Sequence, residues 1–124
     1  MKYACLIYLD EEGTVGAMSK PDQVVFINEV LDNDDAMRRS GNFVAAQALE
    51  FPSTAISVRV RNGDLITTDG PFVETKEWLT GLVFIEARDL NDAVRLAGRI
   101  PMARHGTIEV RPVRHVERLE TAAA

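Results

Sequence analysis

The pair Asn62-Gly63 stands between two runs of alternating hydrophobicity and constrains the fold more than any other dipeptide in the chain. Both residues tolerate positive φ, which a two-residue type I′ turn requires, so the pair joins antiparallel strands in a defined register. Before it, residues 54–61 place Ile56, Val58 and Val60 on one side and Ser57, Arg59 and Arg61 on the other. After it, Asp64-Leu65-Ile66-Thr67-Thr68 returns as the partner strand. That strand runs straight into Asp69-Gly70-Pro71-Phe72-Val73-Glu74-Thr75-Lys76-Glu77. Gly70 accepts positive φ without steric cost and Pro71 holds φ near −65°, so the backbone is sharply specified a second time. A turn so rigid, followed at once by Glu74, Lys76 and Glu77, either shapes a site or seals a sheet edge.

The rest of the chain supplies the partners of this hairpin. Residues 2–9 are rich in strand formers and end in the polar loop Asp10-Glu11-Glu12-Gly13. Ser19, Pro21 and Asp22 mark a helix start: a capping hydroxyl, proline in the first turn and a carboxylate facing the dipole. Val24, Ile27, Val30, Leu31 and Met37 follow helical spacing over 21–40, and Arg38, Arg39 and Gly41 stop the helix. Asp32-Asn33-Asp34-Asp35 reads as its solvated face, since carboxylates clustered without His are weak metal ligands. Residues 79–87 form a further strand. Asp89 caps a second helix with Asp92 three residues on, Leu90, Ala93, Val94 and Ala97 are predicted to face the core, and Pro101 ends it. Thr107 to Val113 make the last strand. One domain over residues 1–113 is therefore expected, with 114–124 a loose or short helical tail. The order strand, helix, hairpin, strand, helix, strand defines an α+β sandwich of ferredoxin-like type, both helices on one face of a largely antiparallel sheet.

Composition removes several classes of function. A chain of 124 residues buries a core without disulfides, and Cys5 is the lone cysteine, as expected of a cytoplasmic protein. A net charge of −5 argues against nucleic acid, which needs a concentrated basic surface. No apolar run approaches the ~20 residues of a membrane helix, and acidic residues interrupt the N-terminal strand too soon for a signal peptide. Neither the two His nor Cys5 falls in a metal-ligand pattern, and no cofactor motif is present.

Two helices cover one face of a sheet, so the other face is wet or covered by a partner. Alternation sets Ile108, Val110 and Pro112 under the helices and Thr107, Glu109, Arg111 and Val113 opposite, with Leu82, Phe84 and Glu86 expected beside them and Arg59 and Arg61 joining from the hairpin. So mixed a face suits a homodimer whose packed sheets leave a polar pocket. On a wet surface Glu109 and Arg111 would merely pair, contributing ~0–1 kcal/mol. In a pocket, Arg111 would hold a carboxylate or phosphate in bidentate fashion, with Tyr3 or Tyr8 as hydroxyl donor. Glu74 and Lys76, two apart, would either pair with each other or reach that pocket. Phe72 is expected to plug the core or the subunit interface, and Asp69 to bond its following backbone or to transfer protons. His105, in the turn before the last strand, is the lone acid–base candidate that titrates near neutrality, although a turn His is commonly just solvent-exposed. His115 lies in the tail.

The strings MKYACLIYLDEE, VRVRNGDLITTDGPFVETKEWLTG and PMARHGTIEVRP, in that order and spacing, resemble the DGPF-type group of YCII-related proteins over residues 2–113. The resemblance implies a dimeric α+β barrel built from ferredoxin-like halves. YCII proteins proper are suspected enzymes, carrying a His on the first helix and an Asp before a Pro that follows the second. Here the first helix has no His and Ile100 precedes Pro101, so that pair cannot be carried over. The expectation is a homodimer binding a small anionic or phenolic molecule between sheet and turn. Arg111, Glu109, Lys76, Tyr8 and Phe72 are its binding residues, and Asp69, Glu74 or His105 would serve any isomerase- or lyase-like proton transfer. The alternative implied by the resemblance is an accessory protein linked to an extracytoplasmic-function sigma factor.

Overall fold

A computed structural model of the chain describes residues 1–119. Its elements are β1 (Lys2–Leu9), α1 (Lys20–Arg39), β2 (Phe43–Ala48), β3 (Ile56–Arg61), β4 (Asp64–Asp69), β5 (Trp78–Glu86), α2 (Leu90–Ala97) and β6 (Thr107–Pro112). Single 3₁₀ turns occupy Pro52–Thr54 and Pro101–Arg104. Four strands form an antiparallel sheet in the order β2-β5-β1-β6. Because β1 and β2 both run antiparallel to β5, and β5 and β6 both to β1, the chain consists of two split β-α-β units, the ferredoxin-like arrangement.

Strand β2 escapes the sequence reading. Phe43-Val44-Ala45-Ala46-Gln47-Ala48 has no alternation and three alanines, which favour strands poorly; it is extended because β5 offers it a free edge. Its presence displaces the hairpin. Strands β3 and β4 pair only with each other, as a separate two-stranded sheet, so Arg59 and Arg61 do not join the open face of the main sheet as expected.

The core lies between the main sheet and the helices. Tyr3, Cys5, Ile7 and Leu9 of β1 and Val83 and Ile85 of β5 alternate into it, meeting Met37 of α1 and Ala93, Leu96 and Ala97 of α2. Tyr3 is thus a core residue and has no place on the open face of the sheet. Each helix buries only part of the expected stripe: Met37, Ala93 and Ala97 face inward as expected and other positions do not. In α1 the buried residues are Phe26 and Met37, while Val24, Ile27 and Leu31 are each about half exposed. In α2, Leu90 and Val94 are half exposed and Leu96 takes their place inside. Each helix start is capped as predicted: Ser19 Oγ accepts from Asp22 N at 3.3 Å and Asp89 Oδ1 from Asp92 N at 2.8 Å. Asp92 in turn accepts from Arg88 N at 3.0 Å, the residue before the cap, so its carboxylate holds the chain entering the helix. After Pro112, residues 113–119 have no regular structure, so the helical option for the tail fails there; its last five residues lie outside the described part.

Candidate functional site

The hairpin presents two unlike faces. Cross-strand pairs Ser57–Thr68, Arg59–Ile66 and Arg61–Asp64 carry the polar face, and Ile56–Asp69, Val58–Thr67 and Val60–Leu65 carry the aliphatic one. Asn62 and Gly63 close it with φ of 52° and 79°, as a type I′ turn requires. At the far end Gly70 takes φ 97° and folds the chain back. Two hydrogen bonds hold that reversal. Gly70 N donates to Ala55 O at 2.7 Å, and Ser57 Oγ donates to Gly70 O at 2.9 Å. The main chain and Ser57 therefore fix the turn; Asp69 ends β4 opposite Ile56.

Reversal carries Phe72 back over the polar face, where the Arg59 guanidinium lies 5.0 Å from the ring centroid, a cation–π contact. Together Ser57, Arg59, Arg61, Ile66, Thr68, Pro71 and Phe72 line a cleft of about 320 Å³. Two guanidinium groups, two hydroxyls and an aromatic ring converge there. Phe72 does not plug this chain's core: it is 73 % exposed. Across the turn lies a second cleft, of about 460 Å³, walled by Phe51, Val73, Glu74, Thr75 and Trp78 with Glu12 at its rim. Trp78 Nε1 is buried and has no acceptor among the described residues. One rigid turn thus separates a basic cleft from an acidic one.

The other predicted site residues lie elsewhere. Glu109 and Arg111 do meet, at 3.5 Å, on the open face of the main sheet. Tyr8 sits on that face beside Thr107, whose Oγ1 donates to Glu77 Oε2 at 3.2 Å, tying the end of the turn to β6. Arg111 is four residues further along β6, about 13 Å at the ordinary strand rise, so it lines neither cleft beside the turn. Glu74 and Lys76 form no ion pair among the described residues. His105 packs edge-on against Phe26 of α1, ring centroids 5.4 Å apart, and borders neither cleft. Among the described residues no three His, Cys, Asp or Glu side chains lie together in a way that could hold a metal ion. Arg59 and Arg61 were legible as an alternating pair; what hid their position beside Phe72 was the assumption that their hairpin belonged to the main sheet.

A ferredoxin-like α+β domain with an inserted hairpin and a pinned Asp-Gly-Pro-Phe turn is the class these features define. The chain matches the YCII-related domain family over residues 1–117, and it belongs to that family. It is similar to an uncharacterised protein of Rhizobium meliloti (strain 1021), 32% identical over 115 residues that cover 91% of this chain and 92% of that protein.

Proposed function

We propose that this YCII-related protein binds a small anionic organic molecule in the basic cleft between the β3–β4 sheet and the Gly70–Phe72 turn. The observation that carries the reading is the convergence of Arg59, Arg61 and the Phe72 ring on one cleft. A carboxylate or phosphate would bridge the guanidinium forks, Ser57 and Thr68 would add hydroxyl contacts, and Phe72 would stack on the organic part. The anchoring role expected of Arg111 passes to Arg59 and Arg61. The lining includes no imidazole or carboxylate to move a proton, which supports binding over turnover in this cleft; Glu74, in the acidic cleft, stands nearest for any such role. Calorimetry and thermal shift with benzoate and with inorganic phosphate test the reading. At 100 times its Kd a ligand stabilises the fold by ~2.7 kcal/mol, a shift of several degrees. Arg59→Ala and Arg61→Ala should each remove most of it while leaving the fold intact; full binding in both variants would sink the assignment.

A second reading, of a protein-interaction module, is favoured by the hairpin's other face. Ile56, Val58, Val60 and Leu65 are between 58 and 69 % exposed on one side of a two-stranded sheet. An isolated hairpin is marginal in water, so such a face gains stability from a covering surface. A second copy of this chain or a sigma-factor-linked partner would provide it. Val58→Asp with Leu65→Asp should then abolish association in sedimentation and pull-down experiments without affecting benzoate binding.

A further inference from the structure

A third cavity lies on the opposite side of β5 from the open sheet face, beneath α1. Its cause is readable position by position. On the core side of the sheet edge stand Ala46 and Ala48 of β2, paired with Val83 and Gly81 of β5. Next to Gly81 across the sheet is Ile7, and just beyond it the chain bulges at Thr80. Three of the positions under α1 thus carry a methyl group or nothing, and the helix cannot close down on them. A Cβ at Gly81 would come within 3.0 Å of the Gln47 carbonyl oxygen, so this residue stays small because β2 approaches so closely. The space left is about 270 Å³, with Ile7, Val83 and Ile100 as its buried floor.

Its polar groups are few and convergent. Asp34 and Asn33 of α1 line it, and both are half-buried, so this part of the acidic run is not the freely solvated face its composition predicts. Thr80 is buried at the sheet side; its hydroxyl donates to Ile7 O at 3.3 Å and keeps its lone pairs for an incoming donor. Burial pushes the Asp34 carboxyl above its ordinary value, against the opposing pull of Arg38. Gln47 of β2 adds an amide at the edge, but among the described residues neither Arg38 nor any other basic residue belongs to the lining, so an anion meets no cation there and faces the Asp34 carboxylate.

We propose that this cavity is a binding site, distinct from the basic cleft, for a small uncharged and mainly apolar molecule carrying one hydroxyl or N–H donor, which Asp34 accepts. The volume fits that class: a dry apolar cavity of ~150 Å³ already holds a benzene ring, and ordinary ligand pockets begin near ~300 Å³. A monocyclic alcohol or a short-chain equivalent fills it. Desolvating the donor costs nothing net when it meets a half-buried carboxylate, whereas a carboxylate ligand would face Asp34 with like charge.

The test uses the full chain, ¹⁵N-labelled, titrated with benzyl alcohol, toluene and benzoate while amide shifts are followed. Benzyl alcohol should give saturable shifts at Ala46, Thr80, Gly81 and Met102. Toluene, the same ring without the donor, should bind at least about tenfold more weakly, the lower end of what one hydrogen bond to a charged acceptor is worth. Ala46→Leu, which fills the cavity, should abolish the shifts, and Asp34→Asn, which keeps the volume, should weaken benzyl alcohol about fivefold. Benzoate reports on the hairpin cleft instead, through Arg59, Arg61 and Phe72, so the two sites fail separately. Absence of saturable shifts at the cavity, or equal affinity of wild type and Asp34→Asn for benzyl alcohol, overturns the proposal whether or not Ala46→Leu folds.

Discussion

Two ionisable residues show how burial and hydrogen bonding set reactivity and stability one side chain at a time. Cys5 is fully buried in β1, and desolvation pushes its thiol up to about 11. The thiolate is the nucleophile, so near pH 8 almost none of it exists in the folded protein. Incubation with a disulfide reagent should leave the native thiol unmodified over hours and modify it completely once denaturant is added. Rapid native labelling would mean that β1 is not where the core places it. Asp92 shows the opposite shift. Its carboxylate accepts from Arg88 N at 3.0 Å, Arg95 Nη2 at 2.7 Å and Arg88 Nη2 at 3.3 Å, and these bonds hold it well below the usual carboxylate range. A carboxyl with a depressed folded value stabilises the fold above its unfolded value, near ~3.9, and loses that contribution as pH falls toward the folded value. Wild type should therefore exceed Asp92→Asn in Tm above pH 4, and the gap should close in stronger acid. The partner cap is simpler: Asp89→Ala should cost about 1 kcal/mol, a Tm loss of a few degrees, at neutral pH.

At the scale of elements, glycine separates positions that demand no side chain from positions that merely have none. A Cβ on Gly106, at the lead into β6, would collide with the Tyr8 carbonyl oxygen and press on Leu9. Gly98 ends α2 with φ −64° and ψ −17°, ordinary helical values, and its added Cβ would meet Val94 O at 3.5 Å, a normal contact. Gly106→Ala should destabilise by roughly 1–3 kcal/mol and Gly98→Ala should be neutral or stabilising by ~0.4–1 kcal/mol, as denaturant midpoints would show. Equal effects would mean that β6 does not lie against β1 in this register. The same distinction explains what could be read in advance. Caps at Ser19 and Asp89, the Asn62-Gly63 turn, the strand over residues 2–9 and the alternating β6 were legible because each rests on local chemistry. Strand β2 was not, because three alanines become a strand only beside β5. Nor was the burial stripe of α1, where Phe26 rather than Val24 faces inward; an apolar residue on each side of a helix leaves the choice to the sheet it meets. The basic cleft was half legible: its arginines and Phe72 stood out, but the bonds from Gly70 and Ser57 that bring them together cross between β4 and the start of β3.

For the molecule as a whole, the open face of the main sheet remains to be accounted for. Register sets Leu6 between Leu82 and Glu109, and Ala4 between Phe84 and Arg111, with Ala45 beyond Phe84 on β2. Aliphatic and aromatic side chains therefore occupy the middle of the face, and the Glu109–Arg111 pair lies on its β6 edge. A surface apolar at the centre and charged at the rim has the composition of a subunit interface. Sheet-on-sheet association of two copies, the homodimer expected of this fold, would bury the centre and leave the ion pair near water, where its breaking costs little. Two substitutions separate the contributions. Phe84→Asp places a charge at the centre and should convert dimer to monomer in sedimentation equilibrium, with helix content unchanged by circular dichroism. Arg111→Ala should leave association within a factor of a few. If Arg111→Ala dissociates the protein as fully as Phe84→Asp, the ion pair is buried by the partner and the interface extends across β6. If wild type is a dimer and neither variant changes its mass, the sheet is not the interface and the hairpin's aliphatic face is the next surface to test; a monomeric wild type overturns the sheet-on-sheet dimer outright.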